Sequence, residues 1–126
     1  MTAVLVAAFL IAHGLLHVAV WTVPQRPDKP SPFDPGHSWA LAAAHVSPSP
    51  ARAVALALAW YAAVVYVIAG AGVLASSGWW TTAALVGAAF GLVLKAVWFD
   101  PWLSFGVLLD VGVIVAVAST WPASVY

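Results

Sequence analysis

Four long stretches of the chain are almost entirely apolar, and one polar segment, residues 24–50, separates the first from the second. The apolar stretches cover residues 2–23, 51–74, 79–99 and 101–120. A bilayer core about 30 Å thick is crossed by about 20 apolar residues in an α-helix, so each stretch is long enough to span it. The pattern predicts an all-α fold, an integral membrane four-helix bundle that forms a single domain over residues 1–126.

The polar segment contains seven of the nine prolines. Its first third, PQRPDKPSP, predicts an extended, polyproline-like strap. Asp34 followed by Pro35 is typical of a helix start, because the carboxylate can cap the helix and proline fits its first position. The following residues predict a short helix over about 35–46. That helix is too short to cross the bilayer, so we place it at the interface, within the first loop.

The tripeptide Phe-Asp-Pro occurs twice in a similar context, as FDPGHSW at 33–39 and as FDPWLSF at 99–105. An internal duplication would explain the likeness. Because short motifs recur by chance and Asp-Pro often begins a helix, we favour the interpretation that both copies start a helix.

The composition is that of a membrane protein, since 64% of the residues are hydrophobic and 6% are charged, against about 45–50% and about 25% in soluble domains. A formal net charge of zero provides no basic surface for nucleic acid, so DNA and RNA binding are excluded. The chain has no cysteine, which excludes disulfides, thiolate metal sites and cysteine nucleophiles. The first apolar stretch lacks a basic leader, so we interpret it as a retained helix rather than a secretory signal.

The basic residues lie on one side of the predicted bundle. Arg26, Lys29 and Arg52 flank the polar segment, and Lys95 lies one turn from the end of the third span. The positive-inside rule therefore places residues 24–50 in the cytoplasm and both termini outside, in a multi-pass protein of the cell (plasma or inner) membrane. Tryptophans near the span ends predict two interfacial belts, Trp21, Trp98 and Trp102 on the loop side and Trp79, Trp80 and Trp121 on the other.

Small residues recur at four-residue intervals in the third span, at Ala83, Gly87 and Gly91, and Lys95 continues the series. Such a stripe lets another helix approach closely, so Lys95 is predicted to lie on a face that contacts protein. Its position one turn from the helix end also puts the headgroups within reach of its side chain by snorkelling.

His13 and His17 lie four residues apart in the first span, so they project from the same helix face. At 1.5 Å per residue, His13 and Asp110 lie about 15 Å and about 14 Å below the loop-side ends of their spans, which is the same level near the midplane. Ionisable groups in the hydrocarbon region need partners. We therefore predict that His13, His17, Asp110 and Lys95 form one ligand or proton site.

Two further pairs are candidates for the surroundings of this site. Trp60 and Tyr61 lie at a similar depth in the second span and could wall a pocket. His37 and His45, eight residues apart on the predicted loop helix, could form a lid above His17. Both pairs could equally be ordinary packing or interfacial residues.

Three functions are compatible with these residues. The polar site could serve proton- or ion-coupled transport or bind a ligand, and a transport path would need a homo-oligomer because four helices barely enclose one. The polar residues could instead be structural, in an accessory or assembly subunit of a larger membrane complex whose partner docks on the proline-rich strap. His13, His17 and Asp110 could also hold a mononuclear metal ion, or a histidine could ligate haem, although the sequence requires no cofactor.

Overall fold

The computed structural model describes residues 1–29 and 31–126 of the chain. Its secondary structure is helical, and four helical segments are long and apolar enough to cross a membrane. The predicted all-α four-helix bundle is confirmed, and the protein is a multi-pass membrane protein. The elements in chain order are α1 (Thr2–Trp21), α2 (Trp39–Ala43), α3 (Pro48–Leu74), α4 (Trp80–Val97), a 3-10 turn (Pro101–Leu103) that continues into α5 (Ser104–Ala118), and a terminal 3-10 turn (Ala123–Val125).

The spans differ from the expected bounds at their loop-side ends. The helix α1 ends at Trp21 and not at residue 23, and α4 ends at Val97 and not at residue 99. The helix α3 begins at Pro48, three residues before the expected start. Its prolines fall in the first turn, where the missing N–H needs no partner within the helix.

The loop helix is shorter than the expected helix over 35–46, because its cap is Ser38 and not Asp34. The Ser38 hydroxyl accepts a hydrogen bond from the Leu41 N–H at 3.2 Å, which starts α2 at the next residue. Asp34 instead accepts from the Gly36 N–H at 2.8 Å and pairs with the Arg52 guanidinium at 2.6 Å. The carboxylate that was expected to begin a helix therefore closes a turn and ties the loop to α3.

The second Phe-Asp-Pro motif does begin a helix. Asp100 accepts a hydrogen bond from the Trp102 N–H at 2.8 Å, and the 3-10 turn that follows leads directly into α5. Asp34 makes the same bond to the residue two positions on. The two motifs share this local turn, whereas the helix-start interpretation holds for residues 99–105 alone.

The proline-rich strap contains a turn, which the expectation of an extended segment did not include. Arg26 and Lys29 pair as an isolated antiparallel bridge, with the Lys29 N–H donating to the Arg26 carbonyl at 3.2 Å. The chain therefore turns back on itself between them. Pro30, which belongs to the predicted strap, lies outside the described residues.

The first loop also caps the end of α4. The Ser38 hydroxyl donates to the Val97 carbonyl at 2.6 Å, and the Trp39 indole N–H donates to the Ala96 carbonyl at 2.7 Å. In return, the Trp98 indole N–H donates to the Pro35 carbonyl at 2.7 Å. Carbonyls in the last turn of a helix have no partner within it, so the loop satisfies groups that would otherwise lie bare at the membrane surface.

The predicted tryptophan belts are only partly present. Trp79, Trp102 and Trp121 are exposed on the outer surface, as expected of interfacial residues. Trp21, Trp80 and Trp98 are instead buried, with the rings of Trp21 and Trp98 in edge-to-face contact at 6.1 Å between centroids. These buried indoles pack the two ends of the bundle from within. The orientation of the bundle across the membrane stays a prediction.

The spans pack in chain order, α1 against α3, α3 against α4 and α4 against α5. The helix α3 lies in the middle and buries a face of small residues, Ala51, Ala55, Ala59, Ala62, Ala63, Ala69, Gly70 and Gly72, together with Tyr66 and Val73. The helix α5 is the most peripheral, because Asp110 and Val113 are its buried residues. Lipid offers no hydrophobic driving force for helix association, so small residues that allow close packing largely determine which helices meet.

Gly14 is a point of close approach between α1 and α3. A Cβ at this position would lie 2.7 Å from the Tyr66 Cβ and 2.9 Å from the Ala63 carbonyl oxygen. Backbone atoms of α3 cannot move aside without separating the two helices. We predict that Gly14→Ala lowers the free energy of unfolding by about 1–3 kcal/mol, the usual cost of overpacking, as measured by denaturant titration in detergent micelles.

Gly112→Ala is the matched control, because a Cβ at Gly112 in α5 would meet no atom within 4 Å. This variant should unfold at the same denaturant concentration as the wild type or at a slightly higher one, since alanine has a higher helix propensity than glycine. Equal destabilisation by the two substitutions would contradict the close contact at Gly14.

Candidate functional site

A cluster of five buried polar side chains joins all four spans. It consists of His13 and His17 from α1, Tyr66 from α3, Lys95 from α4 and Asp110 from α5, and none of them is more than 4% exposed. The structure thus brings together the four residues that were predicted to meet. Tyr66 is the member that was not predicted.

Asp110 is the centre of the cluster. Its Oδ1 accepts a hydrogen bond from the Tyr66 hydroxyl at 2.7 Å and lies 2.7 Å from Nε2 of His13. Its Oδ2 accepts from the Lys95 ammonium at 2.7 Å. An ionised carboxylate offers acceptors only, so both oxygens are satisfied by donors from the three other spans.

Lys95 turns inward and does not snorkel to the headgroups. Besides Asp110, its Nζ lies 2.9 Å from Nε2 of His17 and 3.4 Å from the Gly91 carbonyl oxygen. A lysine ammonium has three N–H donors, so each has an acceptor. The expectation of snorkelling is wrong because the ammonium finds its hydrogen-bond acceptors and its counter-charge inside the bundle.

The hydrogen bonds of His17 assign its protonation state. Its Nδ1 lies 3.0 Å from the His13 carbonyl oxygen, which can only accept, so Nδ1 carries the hydrogen. Its Nε2 faces the ammonium of Lys95 and must therefore supply a lone pair. His17 is neutral in this arrangement, and the charges of Asp110 and Lys95 cancel.

His13 uses one ring nitrogen and leaves the other unpaired. Nε2 faces the carboxylate and donates to it, whereas Nδ1 is buried without a hydrogen-bond partner among the described residues. The ring stacks on Phe9 with 5.8 Å between centroids and meets Tyr66 edge to face at 4.9 Å. The imidazole is therefore fixed in orientation while one acceptor stays unused.

Two glycines make room for the cluster. A Cβ at Gly91 in α4 would lie 2.5 Å from Oδ2 of Asp110 and 2.9 Å from Nε2 of His17, and one at Gly106 in α5 would lie 2.6 Å from Cε of Lys95. At Gly91, the small-residue stripe predicted in the third span therefore makes room for the side chains of the cluster. It lets the carboxylate and the imidazole reach the ammonium across the helix surface.

A cleft of about 320 Å³ lies between α1 and α5 and ends at this cluster. His13, His17 and Lys95 line its inner end. Leu16 and Phe105 also line it and are 51% and 71% exposed, so the cleft opens on the outer surface of the bundle, where the acyl chains lie. Its remaining walls are apolar or aromatic, formed by Val20, Trp21, Trp102, Leu103, Gly106 and Leu109.

A second apolar cavity of about 520 Å³ continues along the same helix pair toward the chain termini. Leu109 lines both cavities. The bond between His13 and Asp110 therefore bridges α1 and α5 at the level where two apolar spaces meet.

Trp60 and Tyr61 do not wall this cleft, although Trp60 lines a separate groove between α1 and α3. They are 55% and 48% exposed on the outer surface of α3, and Tyr61 packs against Phe90 at 4.6 Å between centroids. Tyr66 is the aromatic residue of α3 that reaches the site. Its position on the alanine-rich face of the helix is the sequence signal that could have identified it.

His37 and His45 do not form a lid. Both are exposed, His37 precedes α2, and His45 follows it with a φ of 59°. The expectation placed them on one face of a longer helix, and they lose that common face because the helix spans only Trp39–Ala43.

The three predicted metal ligands are close enough to share an ion, since His13, His17 and Asp110 offer atoms within 4.8 Å of one another. Lys95 already places a cation among them. Its ammonium lies between Nε2 of His17 and Oδ2 of Asp110, which are 4.0 Å apart. A metal ion would therefore have to displace Lys95, and the metal site stays a prediction.

Comparison with family models, curated proteins and solved structures gives no match for this chain. Its function is therefore inferred from the geometry of the site, an electrically neutral, hydrogen-bonded cluster at the inner end of an apolar cleft.

The ion pair can be tested by removing its charges separately and together. Asp110→Asn leaves the Lys95 ammonium buried without a counter-charge, so we predict a loss of about 3–5 kcal/mol in the free energy of unfolding. The double variant Asp110→Asn with Lys95→Met buries no charge and should recover much of that loss. Denaturant titration of the wild type, Asp110→Asn, Lys95→Met and the double variant in micelles measures both effects.

Asp100→Asn is the control for this series, because an asparagine can still accept the capping bond from the Trp102 N–H. It should change stability little. A double variant as unstable as the sum of the two single variants would contradict the pairing of Asp110 with Lys95.

Proposed function

We propose that this membrane protein binds an amphipathic ligand that enters from the bilayer through the cleft between α1 and α5. The ligand's polar end lies against the cluster, and its apolar part lies along the cleft. The observation that carries this proposal is the course of the cleft, which opens beside Leu16 and Phe105 on the lipid-facing surface and ends at His13, His17 and Lys95.

The cleft has the size and lining of a small-molecule site. Ligand pockets are usually about 300–1,000 Å³ and are mostly apolar with a few polar groups that fix orientation. The cleft alone is at the lower end of that range, at about 320 Å³. The adjoining cavity of about 520 Å³ gives room for a longer apolar tail.

The open cleft favours ligand binding over a purely structural role for the cluster. Each ionisable group in the hydrocarbon costs about 2.5–3.5 kcal/mol on insertion scales. Residues that serve only to join helices are best covered on all sides by protein. His13, His17 and Lys95 are at most 4% exposed, yet they line the inner end of a cavity, which is the arrangement expected of a binding site.

Proton transfer is a second candidate, because hydrogen bonds run without a break from Tyr66 through Asp110 and Lys95 to His17. Such a chain can pass protons between its members. The cavity that continues toward the termini is lined mainly by apolar side chains. A proton that enters the cluster therefore leaves by the same side, which fits proton exchange on ligand binding better than transfer across the membrane.

Photolabelling tests the binding proposal. Photoactivatable hexadecanol and photoactivatable palmitate, each with a diazirine in the chain, are added to the protein in liposomes and crosslinked by light. We expect at least one probe to label residues that line the cleft, such as Phe105 and Leu109, above the level on the outer face of α3. Peptide mapping by mass spectrometry measures the sites.

Leu109→Trp and Val115→Trp form a matched pair for this experiment, both in α5. Leu109 lines both cavities, so a tryptophan there fills the space, whereas Val115 lines neither cavity and is 59% exposed to the lipid. Cleft labelling should fall in the Leu109 variant and persist in the Val115 variant. Even labelling of all lipid-facing surfaces, unchanged by Leu109→Trp, would contradict the proposal.

Proton flux distinguishes the second candidate. In liposomes loaded with a pH-sensitive dye, we expect the wild type and Asp110→Asn to show the same slow proton leak, because the cavity on the terminal side of the cluster is lined mainly by apolar side chains. A wild-type flux that Asp110→Asn abolishes would replace ligand binding by proton transport as the proposed function.

A further inference from the structure

The cluster is already neutral, which constrains the head group of any ligand. Asp110 carries one negative charge, Lys95 carries one positive charge, and the hydrogen bonds of His17 keep it neutral. A charged head group in the cleft would add an unbalanced charge close to the middle of the membrane. Buried charges need a partner of opposite sign, and here both charges already have one.

The strong hydrogen-bonding groups are occupied as well. The three N–H donors of Lys95 point to Asp110, His17 and the Gly91 carbonyl. An anionic head group would have to displace Asp110 to bind the ammonium. A cationic head group would have to displace Lys95, and His13 and Tyr66 already satisfy the other carboxylate oxygen.

One hydrogen-bonding position is unused, and it is an acceptor. His13 lines the cleft and is 4% exposed, and its Nδ1 has no hydrogen-bond partner in the part of the chain that the structure describes. Its Nε2 carries a hydrogen because it faces the carboxylate. A second hydrogen on Nδ1 would add an unbalanced charge beside the paired Asp110 and Lys95, so Nδ1 has a lone pair. A buried acceptor without a donor is unfavourable, and a ligand hydroxyl would supply the missing donor.

We infer that the ligand is an uncharged amphiphile with a hydroxyl head group that donates a hydrogen bond to Nδ1 of His13. Its apolar tail follows the cleft past Leu109. This inference rests on the proposed binding function and specifies its ligand class, a long-chain alcohol or another hydroxyl-bearing lipid. Binding involves no covalent or redox step.

Competition among hexadecyl compounds tests the head group. Photoactivatable hexadecanol labels the wild-type cleft, and each unlabelled competitor shares the same sixteen-carbon chain. Hexadecanol should compete at a concentration about tenfold lower than hexadecyl methyl ether, which cannot donate, because one buried hydrogen bond is worth about that factor. Hexadecyl sulfate and hexadecyltrimethylammonium, which are charged, should compete more weakly than hexadecanol.

His13→Phe locates the hydroxyl. It preserves a ring that can stack on Phe9 and removes both nitrogens, so the advantage of hexadecanol over the ether should disappear. His37→Phe, at an exposed loop position, should preserve that advantage. If the His13 variant does not fold, the comparison of hexadecanol with hexadecyl methyl ether on the wild-type protein still tests the inference.

The outcomes separate this inference from the proposed function. Equal competition by hexadecanol and its ether, or strongest competition by a charged compound, would overturn the hydroxyl assignment while cleft labelling leaves the binding function standing. An absence of cleft labelling by both photoprobes would overturn both.

Discussion

The ion pair between Asp110 and Lys95 is the contact on which both the bundle and its site depend. Lipid gives no hydrophobic reward when helices associate, and α5 buries little of its surface besides Asp110 and Val113. Through one carboxylate, α5 is bonded to His13 of α1, Tyr66 of α3 and Lys95 of α4. A buried carboxylate is tolerated because those donors surround it, so the fourth span is held chiefly by a polar contact.

The same contact creates the cleft. The spans pack in chain order, so α1 and α5 lie at the two ends of the series and close on each other chiefly through His13 and Asp110. Apolar space remains on both sides of that bridge, about 320 Å³ toward the first loop and about 520 Å³ toward the termini. A tighter α1 and α5 interface would need no such bridge and would leave no place for a ligand.

The sequence predicted the depth of each residue in the membrane well, but it predicted poorly which face of each helix turns toward the bundle. Apolar run lengths predicted the spans, and residue counting placed His13 and Asp110 at one level, because the rise of a helix is fixed. Which side of α3 faces inward depends on how closely its alanines let α1 and α4 approach. Residue depth alone therefore indicates Trp60 and Tyr61, whereas the structure places Tyr66 in the site. The inward turn of Lys95 depends on a carboxylate from another helix. The role of Asp34 likewise depends on Arg52 in α3, which local pattern cannot reveal.

The ionisation state of Asp110 is the most direct test of this arrangement. Infrared difference spectroscopy of the protein in lipid bilayers, wild type minus Asp110→Asn, isolates the stretching bands of that side chain. Pairing with Lys95 predicts that the substitution removes a carboxylate band. Loss of the carbonyl band of a protonated carboxylic acid would show that Asp110 is neutral, and that would contradict the ion pair on which the cluster, the fourth span and the cleft all depend.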